Sequence, residues 1–337
     1  MANTLPWLFN SSDVGSPALV GIAKLATQGE SLREGHQVEY FTLPARSLLN
    51  RCVSRRGMPF SWTINPSRGC EFACRYCYAR YTHEFMELRQ PEDFEQKIFV
   101  KQHAADLLRQ ELRRVKSGEV IALGTATDPY QPAEKRYEVT RGILEEFARH
   151  EGLELGIVTK SNLIVRDREL LQAIAKKNQL TIHITVTTMD VNLARILEPR
   201  APRPDLRMEA VRELREAGIY VSVNCAPVLP AITDNAANLE SVVRAAAGAN
   251  AQNVHAGPLF LKPCAAAMFL PFMEQHFPQL VETYRQRYEK DAYLPASYGK
   301  RISALVRSLC RKHGMKTDER WRAVINKPEA ARQLALF

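Results

Sequence analysis

Ser61-Trp62-Thr63-Ile64-Asn65 runs without a break into Pro66-Ser67-Arg68-Gly69-Cys70-Glu71-Phe72-Ala73-Cys74-Arg75-Tyr76-Cys77-Tyr78-Ala79-Arg80. The first five residues are the best candidate for the opening strand of a series, and the strand leads directly into three thiols spaced C-x3-C-x2-C on one short loop. A structural zinc site needs four closed ligands, and His83 is the nearest candidate for a fourth. A ferredoxin-type cluster needs four cysteines at its own spacings, and no fourth cysteine lies nearby. Three thiolates with an incomplete shell suit a four-iron cluster whose fourth iron is open to a small molecule, with zinc as the second reading. The remaining cysteines, Cys52, Cys225, Cys264 and Cys310, are scattered, so the seven do not form a disulfide framework.

Outward from this loop the pattern is an alternation. Short apolar or β-branched runs recur at Val120-Ile121-Ala122-Leu123, Leu155-Gly156-Ile157-Val158, Ile182-His183-Ile184-Thr185-Val186, Tyr220-Val221-Ser222-Val223 and Asn253-Val254-His255. Between them lie segments with helical spacing, such as Val139-Ile143-Leu144-Phe147, Leu170-Leu171-Ile174 and Met208-Val211-Leu214, while Ala104-Leu107-Leu108-Leu112-Val115 precedes the first run. One strand plus one helix per unit means a parallel sheet with helices outside, either a barrel or a doubly wound sheet. The expected organisation is a partly ordered N-terminal extension over 1–50, a core over 51–262 and a helical region over 263–337. In that last region Met268-Phe269-Phe272-Met273 and Ile302-Leu305-Val306-Leu309 have the spacing of helix faces.

The 337 residues are 45% apolar and 25% charged, which is globular composition. No apolar run approaches the roughly 18 residues of a membrane span, so no membrane partner is expected. No basic segment precedes an apolar stretch at the start, so the expected location is cytoplasmic. Lys and Arg number 46 against 37 Asp and Glu, a net +9 that favours an acidic partner or substrate.

The cysteine loop, with the aromatic Tyr76 just before its last thiol, resembles the radical S-adenosylmethionine superfamily. Asn65-Pro66, Gly69-Cys70 and Cys77-Tyr78-Ala79-Arg80 are similar to its spore photoproduct lyase-related branch. The likeness continues through Gly124-Thr125-Ala126-Thr127-Asp128-Pro129-Tyr130-Gln131-Pro132, Thr159-Lys160-Ser161, Leu197-Glu198-Pro199-Arg200-Ala201-Pro202 and Ala226-Pro227-Val228-Leu229-Pro230. It spans roughly residues 40 to 260. The resemblance implies an α/β fold, a partial (β/α)6 TIM-like barrel whose functional groups sit at the C-terminal strand ends. It further implies that Cys70, Cys74 and Cys77 hold a [4Fe-4S] cluster whose open iron binds S-adenosyl-L-methionine. Reductive cleavage of that cofactor then yields a 5′-deoxyadenosyl radical that takes hydrogen from a substrate. Lys160 is implied as a cofactor ligand, with Tyr76, Thr127, Asp128, Ser161 and Thr187 as further cofactor-binding candidates. An acidic electron donor such as a flavodoxin or ferredoxin is implied as a partner, and Arg68, Arg75 and Arg80 are candidates to dock it.

The sequence also departs from that pattern. Ser67 stands where relatives often have Tyr, and Phe72 where many have His. Residues 120–134 contain no cysteine, whereas the lyase uses one in that region to return hydrogen to its product, so dimer repair by that route is not implied. Cys225, at the expected end of a strand, is the candidate thiol from another direction. Nucleic acid is the favoured substrate class, with Arg200, Arg203, Arg207, Arg301, Arg307 and Arg311 as candidate phosphate contacts. The competing reading is a non-catalytic, zinc- or iron–sulfur-stabilised nucleic-acid-binding protein.

Overall fold

The computed structural model describes residues 19–29, 31–34, 38–52 and 58–315. The first 18 residues of the expected extension and the chain beyond Met315 lie outside the described residues. The strands in chain order are β1 (Ser31–Glu34), β2 (Glu39–Leu43), β3 (Leu49–Arg51), β4 (Trp62–Ile64), β5 (Ser67–Arg68), β6 (Lys97–Lys101), β7 (Val120–Leu123), β8 (Glu154–Thr159), β9 (Gln179–Thr185), β10 (Val221–Val228) and β11 (Asn253–Pro258).

β4, β7, β8, β9, β10 and β11 lie side by side in chain order, all parallel, and β3 pairs antiparallel along the outer edge of β4. These are the six strands that the alternation predicts. β11 and β3 are the two edges of the sheet, so the barrel is open. On the expected helix faces Leu108, Ile143, Leu144, Phe147, Leu171, Ile174, Val211 and Leu214 are buried and pack on the sheet as one core, with Leu107, Val115, Val139 and Leu170 half-buried against it. The outer helix of the sixth unit comes from the C-terminal region, where Ala296–Lys312 lies on β11 and buries Ile302, Val306 and Leu309. Among the described residues no helix is long and apolar enough to cross a membrane.

A second sheet, ordered β1-β2-β6-β5, has no counterpart in the sequence reading. It draws β1 and β2 from the expected extension and pairs β2 in parallel with β6. β6, Lys97-Ile98-Phe99-Val100-Lys101, is a five-residue run framed by lysines, and its partners lie far away in the chain, so no local period announces it. β5, the first residues of the cysteine loop, is its antiparallel neighbour. The loop is thus suspended between two sheets.

The inner face of the main sheet carries small and polar side chains, including Gly156, His183, Ser222, Asn224 and His255, around a cavity of about 420 Å³. The His183 and His255 rings stand 6.0 Å apart across β10. Burial, and then the neighbouring His255, bring His183 down to about 3, against about 6.5 in an unfolded chain. Between those two values the unfolded state binds a proton that the folded state refuses. The stability contributed by a neutral His183 is therefore complete above pH 6.5 and is lost as pH falls toward 3. A His183→Asn variant should show a shallower decline between pH 4 and 6, by about 1.4 kcal/mol per pH unit, in urea unfolding at stepped pH. An unchanged slope would mean that His183 already titrates normally in the fold.

Candidate active site

Backbone sterics shape the cysteine loop first. Gly69 has φ +85°, and a Cβ there would stand 2.7 Å from the Lys97 carbonyl oxygen and 2.9 Å from that of Phe94. Only glycine lets the chain pass so close to the second sheet before it turns. The Cys70 amide then donates to Phe94 O at 2.9 Å, the Arg75 amide to Leu197 O at 2.9 Å and the Cys77 amide to Cys74 O at 3.1 Å.

The segment after β7 grips the loop from the main sheet. Gln131 Nε2 donates to Gly69 O at 3.1 Å and Ser67 Oγ at 2.9 Å, while its Oε1 accepts the Glu71 amide at 2.9 Å. Thr127 Oγ1 donates to Gly69 O at 2.5 Å. Glu71, 5% exposed, accepts the Ala133 amide at 2.8 Å and the Tyr40 hydroxyl at 2.7 Å, which ties β2 to the loop. Asp128 joins two strand ends: Oδ1 accepts Thr159 Oγ1 at 2.6 Å and the Tyr130 amide at 2.9 Å, and Oδ2 accepts the Lys160 amide at 2.7 Å.

A buried ionic network backs the loop. The Tyr76 hydroxyl bonds to Glu198 and lies 3.2 Å from Thr187 Oγ1, which itself donates to Glu198 Oε1 at 2.6 Å. Arg207, 1% exposed, pairs with Glu198 at 2.5 Å and donates to Thr185 O at 3.0 Å. Burial raises the Glu198 carboxyl, but the Arg207 and Lys160 charges and the two hydroxyl bonds outweigh it and bring it down to about 2. Lys160 Nζ stands 5.8 Å from the Tyr76 ring centroid. Burial lowers the Lys160 ammonium, and the Cys74 and Glu198 charges more than reverse that.

All three thiols face one cavity of about 380 Å³, with Lys160, Asp128 and Tyr76 also on its wall. Burial pushes each thiol up, Cys74 to about 12, while the nearby cations, Lys160 at Cys74 and Arg80 at Cys77, act in the opposite direction. Buried thiols of this kind become thiolates when a cationic metal group takes their charge, so the donor set fits an iron–sulfur cluster. Among the described residues no three His, Cys, Asp or Glu side chains converge as ligands of a single ion do. His83, the fourth ligand of the zinc reading, is turned into the core: Nε2 meets Lys97 O at 2.9 Å and the ring packs edge-on against Phe94 and Phe99.

A family model described as the Radical SAM superfamily matches residues 64–240. The chain belongs to the Radical SAM superfamily. An uncharacterized protein of Mycobacterium tuberculosis (strain ATCC 25618 / H37Rv) is 34% identical over 313 residues, covering 92% of this chain and 92% of that protein. An uncharacterized protein of Methanocaldococcus jannaschii is 30% identical over 173 residues, 51% of this chain and 62% of the relative. Among solved structures, spore photoproduct lyase complexed with dinucleoside spore photoproduct is similar with a TM-score of 0.59 at 16% identity, over 81% of this chain and 79% of that one. A variant of the same lyase with bound AdoMet and the dinucleoside gives 0.57 at 15% identity over the same shares. The likeness to the lyase is one of fold, and this radical SAM protein is an enzyme of that superfamily.

The cavity brings together seven of the expected residues, Cys70, Cys74, Cys77, Tyr76, Thr127, Asp128 and Lys160. Ser161 and Thr187 are not on its wall. Ser161 Oγ accepts the Leu163 amide at 3.2 Å and caps the turn Asn162–Asp167, and the Thr187 hydroxyl is engaged by Glu198. Cys225 is a correction: alternation along β10 turns Asn224 to the cavity and Cys225 into the outer core, 1% exposed, where burial drives it up to about 12. Arg80 is another, since it is 3% exposed, pairs with Glu95 and donates to Cys74 O at 3.2 Å. It holds the loop from behind and presents no surface to a donor protein. Arg207 likewise serves Glu198 rather than any phosphate. Gln131, Glu198 and Arg80 stand inside quoted motifs, but nothing local in the sequence reveals their partners.

Removing one member of the Glu198–Arg207 pair leaves a buried charge alone. Glu198→Gln should lower unfolding stability by about 3 kcal/mol. Adding Arg207→Met should recover part of the loss in the same denaturant titration, and a double variant as unstable as the sum of the singles would refute the coupling.

Proposed function

We propose that Cys70, Cys74 and Cys77 hold a [4Fe-4S] cluster and that the adjoining cavity receives S-adenosyl-L-methionine. When bound, these groups supply reductive cleavage of the sulfonium to a 5′-deoxyadenosyl radical that takes a hydrogen atom from substrate. The observation that carries the reading is the meeting of three desolvated thiols, Cys70 and Cys74 buried and Cys77 half-buried, with the half-buried Lys160 on one cavity wall. Lys160 offsets thiolate charge and supplies a cation for the methionyl carboxylate of the cofactor in a poorly screened site. Asp128 fixes the Lys160 backbone and so the direction of that side chain. Tyr76 is oriented through its hydroxyl by Glu198 and Thr187, which leaves its ring to wall the cavity. Reduction comes from a flavodoxin- or ferredoxin-like donor. The net charge of +9 and the dinucleoside bound by the lyase of similar fold support nucleic acid as the substrate class.

Anaerobic reconstitution tests the reading. The protein should be brown, carry about four irons per chain and release 5′-deoxyadenosine and methionine when reduced with S-adenosylmethionine. Replacing any one of the three cysteines by Ala should abolish both iron loading and release. Colourless protein holding zinc and leaving the cofactor intact would overturn it. Lys160→Met should retain the iron but weaken S-adenosylmethionine binding about tenfold, measured by equilibrium dialysis.

A further inference from the structure

A groove of about 580 Å³ lies beside the cofactor cavity, between the cysteine loop, the β3–β4 edge and the start of the C-terminal helices. Among the described residues its lining includes Arg51, Arg68, Lys101 and Lys262 and not one Asp or Glu. Arg51 is neutralised by Glu119 at 2.7 Å. The other three have no carboxylate within 4.0 Å among the described residues, unlike Arg80, Arg166 and Arg207, which all pair.

Lys101 is the sharpest anomaly. It ends β6, is 7% exposed, and its ammonium has no hydrogen-bond or ion-pair partner among the described residues. Burial, and then the charge of Arg68, bring it down to about 7. Glu111, the nearest influence of opposite sign, gives its carboxylate to the Leu48 and Leu49 amides at 2.9 and 2.7 Å instead. Beside it, Arg68 Nε is buried with no acceptor among the described residues, while its Nη1 donates only to the neutral Thr82 carbonyl at 3.4 Å. A folded protein tolerates such uncompensated cations where a ligand brings the anion.

Aromatic rings complete the groove. Phe260 and Tyr293 stack at 5.1 Å and 12°, Tyr78 tilts against Phe260 at 4.9 Å, and Lys262 lies 4.3 Å over the Tyr81 ring. Phe85 is 58% exposed at the edge. Tyr78, Phe260 and Thr125 also line the cofactor cavity, so the groove opens onto the proposed radical site. Cations at the floor and ring faces along the side are what a single nucleic-acid strand requires.

We infer that this groove binds the phosphodiester backbone of a single-stranded nucleic-acid substrate, with Lys101 and Lys262 contacting phosphate and the Phe260–Tyr293 pair stacking a base beside the cofactor cavity. The inference gives the proposed enzyme its substrate track, and binding can be read without turnover. The probes are fluorescein-labelled single-stranded DNA and RNA of mixed sequence, titrated by anisotropy onto the anaerobically reconstituted enzyme at several salt concentrations. Lys101→Met and Lys262→Gln should each weaken the bound probe about fivefold at 0.1 M salt and make the log–log salt slope shallower by about 0.7. Lys101→Met should also melt no lower than wild type, because it removes a buried, uncompensated charge. Affinity and slope unchanged in both variants would overturn the inference, as would a loss confined to a Lys101→Met protein that melts lower. Competition by a mononucleotide as effective as an unlabelled strand would assign the groove to a single phosphate and overturn the strand. Release of 5′-deoxyadenosine by the wild-type preparation reports on the radical reading separately, so the two can fail independently.

Discussion

The structure turns on how three thiols at the wall of a low-dielectric cavity have their charge compensated. Desolvation alone holds them protonated, so any metal chemistry on them needs positive charge close by. The fold brings that charge in from three directions. Lys160 comes from the end of β8, Arg80 from behind the loop, and Arg207 acts at one remove through Glu198. The carboxylates in this shell are themselves fully bonded: Glu198 by Arg207, Thr187 and Tyr76, and Asp128 by two amides and a hydroxyl. Even so bonded, Asp128 still pushes the Cys70 thiol up and Glu198 the Cys74 thiol, so the cations must offset both acids as well as desolvation.

This arrangement requires two sheets. The parallel strands alone place Asp128 and Lys160 at their C-terminal ends, where such barrels carry their functional groups. They do not by themselves hold a loop that leaves β4 and must return its sulfurs to the mouth. The smaller sheet does so through β5 and β6, with Gly69 pressed against the Lys97 and Phe94 carbonyls. Gln131 then closes the gap from the other side with one amide group serving the loop in both directions, donor to Gly69 and acceptor from Glu71. A shorter or acidic side chain at 131 would satisfy only one of these bonds.

Whatever depends on short range in the chain was legible in the sequence. The six parallel strands, the helix faces between them and the thiol loop follow from periods of two and 3.6 and from a ligand spacing held within eight residues. The second sheet was not legible, because β6 is a short run between lysines and its partner β2 lies in a stretch without sustained period. The support of the site was hidden for a related reason. Gln131 meets Gly69 from 62 residues away, Thr187 meets Glu198 across 11 and Arg80 meets Glu95 across 15. The orientation of Cys225 hung on a one-residue question of strand phase, which composition does not answer: Asn224 faces the cavity and its neighbour therefore cannot.

The same range limit explains why counting basic residues says little about partners. Of the arginines first considered for phosphate or donor contacts, Arg80 and Arg207 are consumed by internal carboxylates, and Arg203 is closed by Asp205 at 2.9–3.0 Å on the surface. A net charge of +9 includes all of them equally. What distinguishes a cation available to a ligand is desolvation without a partner, since an exposed arginine has water and a buried one normally has an acid. Lys101 meets that criterion from the end of β6, within the sheet that also suspends the cysteine loop. One small sheet therefore sets both the position of the thiols and the position of the unpaired charge, and any movement of β6 would shift the two together.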